Sequence, residues 1–276
     1  MNSLGGSDGG DSGESQALYT ALAPIYDAWQ SIGGVTPFWA LALDRLEAEL
    51  RRRSRLAPAL SFADLGCGTG QLLLALQRRH PGWRLTGVDA ADAMLAVARA
   101  KPGADRVSWV HAPLAQLDAA TPAVSNLACA GAFHDTINHL PDQAALQAAF
   151  GAVGRALAPG GLFVFDVTNA LGFQSWGTGN RTWRGDGWEL QLACAFRPDQ
   201  AGGGTAHAAV TIARGGKKNH AALIQRCFTP AAIRSALRGA GFSVDSSVPW
   251  SPFDIDANGK TLFVATNSPN RPKANP

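Results

Sequence analysis

Asp64-Leu65-Gly66-Cys67-Gly68-Thr69-Gly70 places three glycines at alternate positions behind an aspartate. The segment lies between a short apolar run ending at Leu65 and a helical stretch opening at Gln71. Glycines let the backbone turn tightly and let a ligand approach without a Cβ in the way. The helix behind them presents unpaired N–H groups. Asp89 closes the next apolar run, 19 residues beyond Gly70, where a carboxylate can accept both hydroxyls of a ribose. A glycine turn with a distal acid follows the general logic of nucleoside recognition at a sheet edge. A dinucleotide turn must accept a pyrophosphate, which the Asp64 carboxylate would repel. The same carboxylate suits a ligand that carries positive charge.

A second group follows a later apolar run: Phe133-His134-Asp135-Thr136-Ile137-Asn138-His139-Leu140. His134, Asp135 and Asn138 are the candidate catalytic residues. His134 reads as a general base or an acceptor-orienting group, or else as a histidine hydrogen-bonded at a helix start. His139, one turn further on, reads as structural.

The elements that must position these residues follow from periodicity. Residues 17–55 read as a helical cap, with apolar residues at three- and four-residue spacing broken at Ser31–Pro37. Residues 56–170 alternate short apolar strands with longer helical stretches, which argues for a parallel sheet covered by helices on both faces. Residues 171–228 break that rhythm. The stretch from Gly172 to Gly187 reads as a loop carrying Trp176 and Trp183, with Trp188 directly after it. Two period-two runs joined by Pro198-Asp199-Gln200-Ala201-Gly202-Gly203-Gly204 then read as a hairpin, with His220–Phe228 as a third antiparallel strand. Thr229-Pro230 marks a helix start. Residues 229–267 complete the core with that helix and two closing strands. Residues 1–16, glycine-rich and acidic, and residues 268–276 read as unstructured tails.

Composition excludes several classes. A chain of 276 residues with net charge +3 has too little positive charge for a nucleic-acid partner. Its one dense basic run, Arg51, Arg52, Arg53 and Arg55, falls at a helix end where cations suit the dipole. No apolar run reaches membrane-spanning length, so no membrane partner is expected. The four cysteines show no metal-like or disulfide-like spacing and read as reduced thiols of a cytoplasmic protein. Oligomeric state is left open.

Ala63-Asp64-Leu65-Gly66-Cys67-Gly68-Thr69-Gly70, Gly87-Val88-Asp89-Ala90-Ala91-Asp92-Ala93-Met94-Leu95 and Pro159–Val167 together resemble the class I S-adenosylmethionine-dependent methyltransferases. The resemblance covers roughly residues 18–267. It implies an α/β fold, a Rossmann-like doubly wound seven-stranded sheet whose last strand is antiparallel, here with the N-terminal helical cap and the small antiparallel insert. It implies that S-adenosyl-L-methionine is the cofactor. Gly66, Gly68 and Gly70 would then line its methionine portion, Asp64 would lie under that end, and Asp89 would hold the ribose. Met94 would pack on the adenine with Ala90 and Leu114 beside it, and Ala132 to His134 would line the methyl-transfer channel. Many relatives place an acid after the third strand for the adenine amino group. This chain has Val110-His111-Ala112-Pro113-Leu114 there, leaving backbone groups or His111. The segment from Leu18 to Asp27 resembles the family's cap helix, and by analogy Tyr26 reaches the cofactor carboxylate or the mouth of the site, or else is a core aromatic of an amphipathic helix. Trp29, Phe38 and Trp39 read as packing.

The post-fourth-strand segment resembles that of methyltransferases acting on small amines and sugars. Metal-dependent relatives add a later Asp-Asn pair, not evident here, so no metal is expected. In the insert, Arg226 could meet an acceptor carboxylate or a surface acid, and Asp166, Thr168 and Asn169 are stronger site candidates. The expected reaction is methyl transfer to a small-molecule acceptor, on nitrogen in preference to oxygen, releasing S-adenosylhomocysteine. The alternative is a cyclase in which the cofactor's own amine attacks its Cγ, giving azetidine-2-carboxylate and methylthioadenosine. A non-catalytic binding module is a third reading.

Overall fold

The computed structural model describes residues 11–32, 36–117, 121–175, 179–250 and 259–268. Trp176 and the C-terminal tail from residue 269 lie outside them, as do residues 1–10. The helical cap is α1 (Asp11–Leu22), α2 (Tyr26–Gln30) and α3 (Phe38–Arg52). Then come β1 (Ser61–Leu65), α4 (Gln71–Arg79), β2 (Arg84–Asp89), α5 (Asp92–Arg99), β3 (Val107–His111) and β4 (Leu127–Ala132). A 3-10 turn over Thr136–His139 precedes α6 (Gln143–Ala156) and β5 (Leu157–Thr168). After α7 (Ala170–Ser175) come β6 (Gly179–Gly185), β7 (Trp188–Pro198), β8 (Gly204–Arg214) and β9 (Lys217–Cys227). The chain closes with α8 (Pro230–Gly239), β10 (Phe242–Trp250) and β11 (Lys260–Asn267).

The main sheet has seven strands in the order β10-β11-β5-β4-β1-β2-β3. β1 to β5 run parallel, and β11 runs antiparallel to both of its neighbours. The central strands carry continuous apolar side chains because helices cover both faces. On one face α6 and α8 bury Phe150, Val153, Ile233 and Leu237 against Phe163 and Phe165. On the other, α3 and α4 bury Leu43, Leu46, Leu73 and Leu76 against Phe62 and Val164. Strand order reverses at β1, which has β2 on one side and β4 on the other. Loops leaving a sheet at such a switch point diverge and open a crevice. The glycine turn leaves β1 and the His134 segment leaves β4, so both flank that crevice.

β6 to β9 form a separate four-stranded antiparallel sheet. The stretch expected as a loop from Gly172 to Gly187 therefore contains the end of α7 and an edge strand, β6. Period-two reading missed that strand because its side chains are nearly all exposed, so no apolar alternation marks it. The inner face of the insert buries Leu190, Leu192, Val210 and Ile212 against Leu18, Leu22 and Ile25 of the cap. The cap departs from its expected boundary as well: α1 begins at Asp11, inside the stretch read as a tail. Packing of its later turns on the insert holds that helix, and Gln16 donates to the Ala90 carbonyl at 2.9 Å.

Local signals at the helix ends act as their chemistry dictates. Asp142 accepts from Ala145 N at 2.7 Å and caps α6, while Thr229 accepts from Ala232 N at 3.1 Å and caps α8. The basic run at the end of α3 is spent on the chain's own acids: Arg51 pairs with Glu47, and Arg52 and Arg53 with Glu49. No described helix is long and apolar enough to cross a membrane.

Gly70 combines φ +76° with a neighbour that leaves no room, since a Cβ there would lie 2.4 Å from the Trp109 ring. Gly70→Ala should lower stability by at least about 2 kcal/mol, combining left-handed strain with overlap, as measured by urea denaturation.

Candidate functional site

The glycine turn extends the pairing of β1 with β2. Gly66 N and Cys67 N both donate to the Val88 carbonyl, at 2.7 and 3.0 Å. Gly66, Gly68 and Gly70 all take positive φ, at 75°, 53° and 76°. Gly68 faces open space, with nothing within 4 Å of where its Cβ would stand. Asp89 ties this turn to the next helix: one oxygen accepts from Gly68 N at 2.7 Å and the other from Ala91 N at 2.8 Å. Each oxygen keeps a lone pair for a further donor. Burial pushes the Asp89 carboxyl up, and the backbone N–H groups partly oppose that shift.

Asp64 is 4% exposed. Burial, and then the nearby Asp89 charge, raise its carboxyl to about 7. It lines a cleft open to solvent, together with Tyr26, Gly66, Gly68, Phe133 and His134. Burying an acid beside another acid opposes folding unless a cation arrives.

The cap closes one side of this cleft through a latch. Asp27 on α2 accepts from Thr69 Oγ1 at 2.6 Å and pairs with Lys101 at 2.6 Å, while Lys101 also donates to the Thr69 carbonyl at 2.7 Å. The glycine turn and the cap are thereby one unit. Tyr26 meets Trp29 edge-on at 5.8 Å, and Trp29 meets Trp183 of β6 at 5.7 Å. That aromatic chain joins the cap to the insert.

Beyond β4 the backbone does something sequence reasoning did not foresee. His134 and Asp135 are successive non-glycine residues in the left-handed region, with φ of 58° and 68°. Such residues cost of order 1 kcal/mol each and persist only where their surroundings hold them. Asp166, at the end of β5 and fully buried, accepts from His134 N at 2.9 Å and from Asp135 N at 3.3 Å. Lys260 of β11 reaches Asp166 at 3.2 Å and Thr168 Oγ1 at 2.9 Å, and also pairs with Asp135. The Asp135 carboxyl sits at about 2: burial would raise it, but the Lys260 ammonium outweighs that, with Thr168 donating at 2.5 Å. Burial holds the Asp166 carboxyl up. Lys260 has its own value raised, because both carboxylates outweigh the burial that would lower it.

The His134 ring stacks on Phe38 at 4.4 Å and meets Tyr26 Oη through Nδ1 at 3.3 Å. Burial lowers its value to about 4. His139 is likewise lowered to about 4 by burial, and its Nε2 meets Tyr19 Oη at 2.9 Å and Gln225 at 3.3 Å. The chain's two tyrosines thus each reach one histidine of this segment.

Other expected residues fall elsewhere. Asn138 is fully buried with both ends of its amide engaged by backbone: it donates to Thr168 O and Arg226 O and accepts from Thr168 N. That makes it a brace between β5 and β9, with no atom left for a substrate. Asp135, committed to Lys260 and Thr168, is equally unavailable as a base. Met94 is 1% exposed among Leu18, Leu22 and Ile25, so the cap covers it. Ala132 is buried at the end of β4, and Leu114 is half-buried against the core. Ala90 is exposed, and its carbonyl receives His111 Nε2 at 2.9 Å as well as Gln16. Arg226 donates to Pro141 O and Thr205 Oγ1, both at 2.6 Å.

Three residues of this site went unread in the sequence, Lys260, Lys101 and Asp27. Nothing local marks Lys260, which reaches the site because β11 is registered opposite β5, with Lys260 facing Thr168. Asp27 sits beside Tyr26 within the cap segment, and only the fold brings it to Thr69.

Residues 62–161 match the methyltransferase-domain family. A demethylmenaquinone methyltransferase of Thermus thermophilus is 35% identical over 158 residues, covering 53% of this chain and 62% of that protein. The chain spans about half the length of the curated relatives it matches. Among solved structures, an S-adenosylmethionine-dependent methyltransferase from Clostridium acetobutylicum superposes with a TM-score of 0.71 at 18% identity, covering 91% of this chain and 99% of that one. CalS10, an amino pentose methyltransferase from Micromonospora echinaspora solved with S-adenosylmethionine bound, gives 0.66 at 22% identity, covering 88% of this chain and 97% of that one. Residues 62–161 are thus a methyltransferase domain, and the chain has the fold of solved S-adenosylmethionine-dependent methyltransferases.

S-adenosylmethionine is the cofactor of that class, and the donor set here fits it. A buried acid faces the cleft that Gly68 leaves open, suited to a cationic ligand, and the second acid, Asp89, closes the glycine turn.

In the free protein the Asp64 carboxyl, raised from an ordinary 3.8 to about 7, makes the folded state lose stability as pH rises from about 4 to 7. Asp64→Asn should therefore gain stability over the wild type at pH 8, by roughly 2 kcal/mol, and gain much less at pH 4. Urea denaturation at the two pH values checks this, and the same variant should bind the cofactor more weakly.

Proposed function

We propose that this chain transfers the methyl group of S-adenosylmethionine to a nitrogen of a small-molecule acceptor, releasing S-adenosylhomocysteine. The observation that carries the reading is a neutral histidine, His134, at the wall of a cleft floored by the glycine turn and Asp64. CalS10 is an amino pentose methyltransferase, and an amino sugar offers a nitrogen beside its hydroxyls, which supports the nitrogen reading. The proteins compared above are methyltransferases, which supports methyl transfer over ring closure of the cofactor.

S-adenosylmethionine supplies a methyl group already activated by its sulfonium. What remains for the protein is alignment and exclusion of water. In this reading the glycine turn and Asp64 hold the methionine end, Asp89 takes the ribose hydroxyls, and Tyr26 borders the mouth. His134 is neutral at pH 7 and accepts a hydrogen bond from the acceptor's N–H, orienting the nitrogen lone pair. With a value near 4 it orients the acceptor more than it stores the proton. Asp135 and Asn138 frame the site instead of acting on the acceptor.

The test is incubation with S-adenosylmethionine and a panel of small amines and hydroxyl compounds, with products followed by mass spectrometry. S-adenosylhomocysteine formed together with a methylated amine is the expected result. Methylthioadenosine appearing without any acceptor would overturn the reading. Asp89→Ala should abolish cofactor binding in calorimetry. His134→Ala should keep binding and lose about 100-fold in kcat; full activity in that variant would remove His134 from its assigned role.

A further inference from the structure

We propose that Asp166 and Lys260 are the positioning residues of this site, fixing the direction of the His134 imidazole through its backbone on one side and the Phe38 ring on the other. The inference rests on the methyl-transfer reading for its purpose, though not for its geometry. A carboxylate has two acceptor oxygens, and Asp166 gives one to His134 N and the other to Asp135 N, at 2.9 and 3.3 Å. Two successive left-handed residues without glycine need such an external hold. Lys260 supplies the countercharge, bonded to Asp166 at 3.2 Å and paired with Asp135. Its ammonium also lies 5.3 Å from the centre of the Phe38 ring, and the His134 ring stacks on that same ring at 4.4 Å and 16°. Tyr26 Oη bounds the imidazole at Nδ1. The ring is therefore constrained through its own backbone, its face and one nitrogen.

None of Asp135, Asp166 and Lys260 lines the cleft, whereas Phe38 and His134 do. The two proposed residues thus act through His134 and touch no substrate. An amide at Asp166 would keep the shape and lose one acceptor, turning an NH2 toward one of the two backbone N–H groups. A methionine at Lys260 would keep the stem and lose the charge.

The experiment compares the full chain with Asp166→Asn, Lys260→Met and Lys260→Arg. Imidazole NMR signals are recorded without cofactor, and kcat and cofactor Kd are measured separately. His80, held by Glu47 and stacked on Trp83, serves as the internal reference. In Asp166→Asn and Lys260→Met the His134 signals should shift or broaden while those of His80 stay in place, and Lys260→Arg should move them back toward the wild type. In the first two variants kcat should fall at least about tenfold. Cofactor Kd should stay within about threefold of the wild type, the split a positioning role predicts. Wild-type His134 signals or wild-type kcat in Lys260→Met would overturn the proposal. Should Asp166→Asn lose the His80 signals and so prove unfolded, Lys260→Met decides alone. The NMR arm needs no turnover, so an unmoved His134 counts against the positioning role, and a wild type that methylates nothing counts against the methyl-transfer reading.

Discussion

The Asp166 carboxylate holds two successive backbone amides in a conformation that neither His134 nor Asp135 would adopt freely, and the carboxyl edge of β4 takes its shape from that grip. An aspartate can do this only where water does not compete for its oxygens, and full burial at the end of β5 meets that condition. Burial brings its own cost, because an ionised pair of acids in a low-dielectric site repel each other. Lys260 offsets that repulsion. Removing one partner of such a triad would leave an uncompensated buried charge, which is far more damaging than never having had the group.

The glycine side of the crevice follows a parallel logic. Asp89 closes its turn by taking one amide from Gly68 and one from Ala91, and the Asp27–Thr69–Lys101 latch then ties the cap to that turn. Cap and insert share a core of their own, through Leu18, Leu22, Leu190 and Ile212. The walls of the cleft are therefore coupled to one another by packing as well as hung from the main sheet. Asp64 stands apart as a buried carboxylate that opposes folding in the free protein. Such local conflicts are expected at functional positions, where binding and not stability sets the residue.

Much of the fold was legible in the residues. Alternating apolar strands and helices identified the doubly wound sheet, and Thr229-Pro230 identified α8, because these signals are local and repeat at the period of the element. The glycine turn and Asp89 were legible for the same reason: each lies within a residue or two of a strand end, where the element's direction already aims it. The edge strand β6 escaped because an exposed edge needs no apolar alternation. The cover over Met94 escaped because it is set by a helix some seventy residues earlier in the chain, and the partners of Arg226, Pro141 and Thr205, because they lie on other elements.

Sequence by itself determined the class of fold and the positions of the glycine turn, Asp64 and Asp89, since strand, turn and helix signals act over a few residues. Only the tertiary structure decided what the later residues do. It committed Asp135 and Asn138 to the frame, left His134 facing the cleft, and recruited Lys260 and Asp27 from opposite ends of the chain. A side chain's chemistry is written in its type, but its partners are chosen by strand register and helix packing, which bring together atoms that the sequence keeps more than a hundred residues apart.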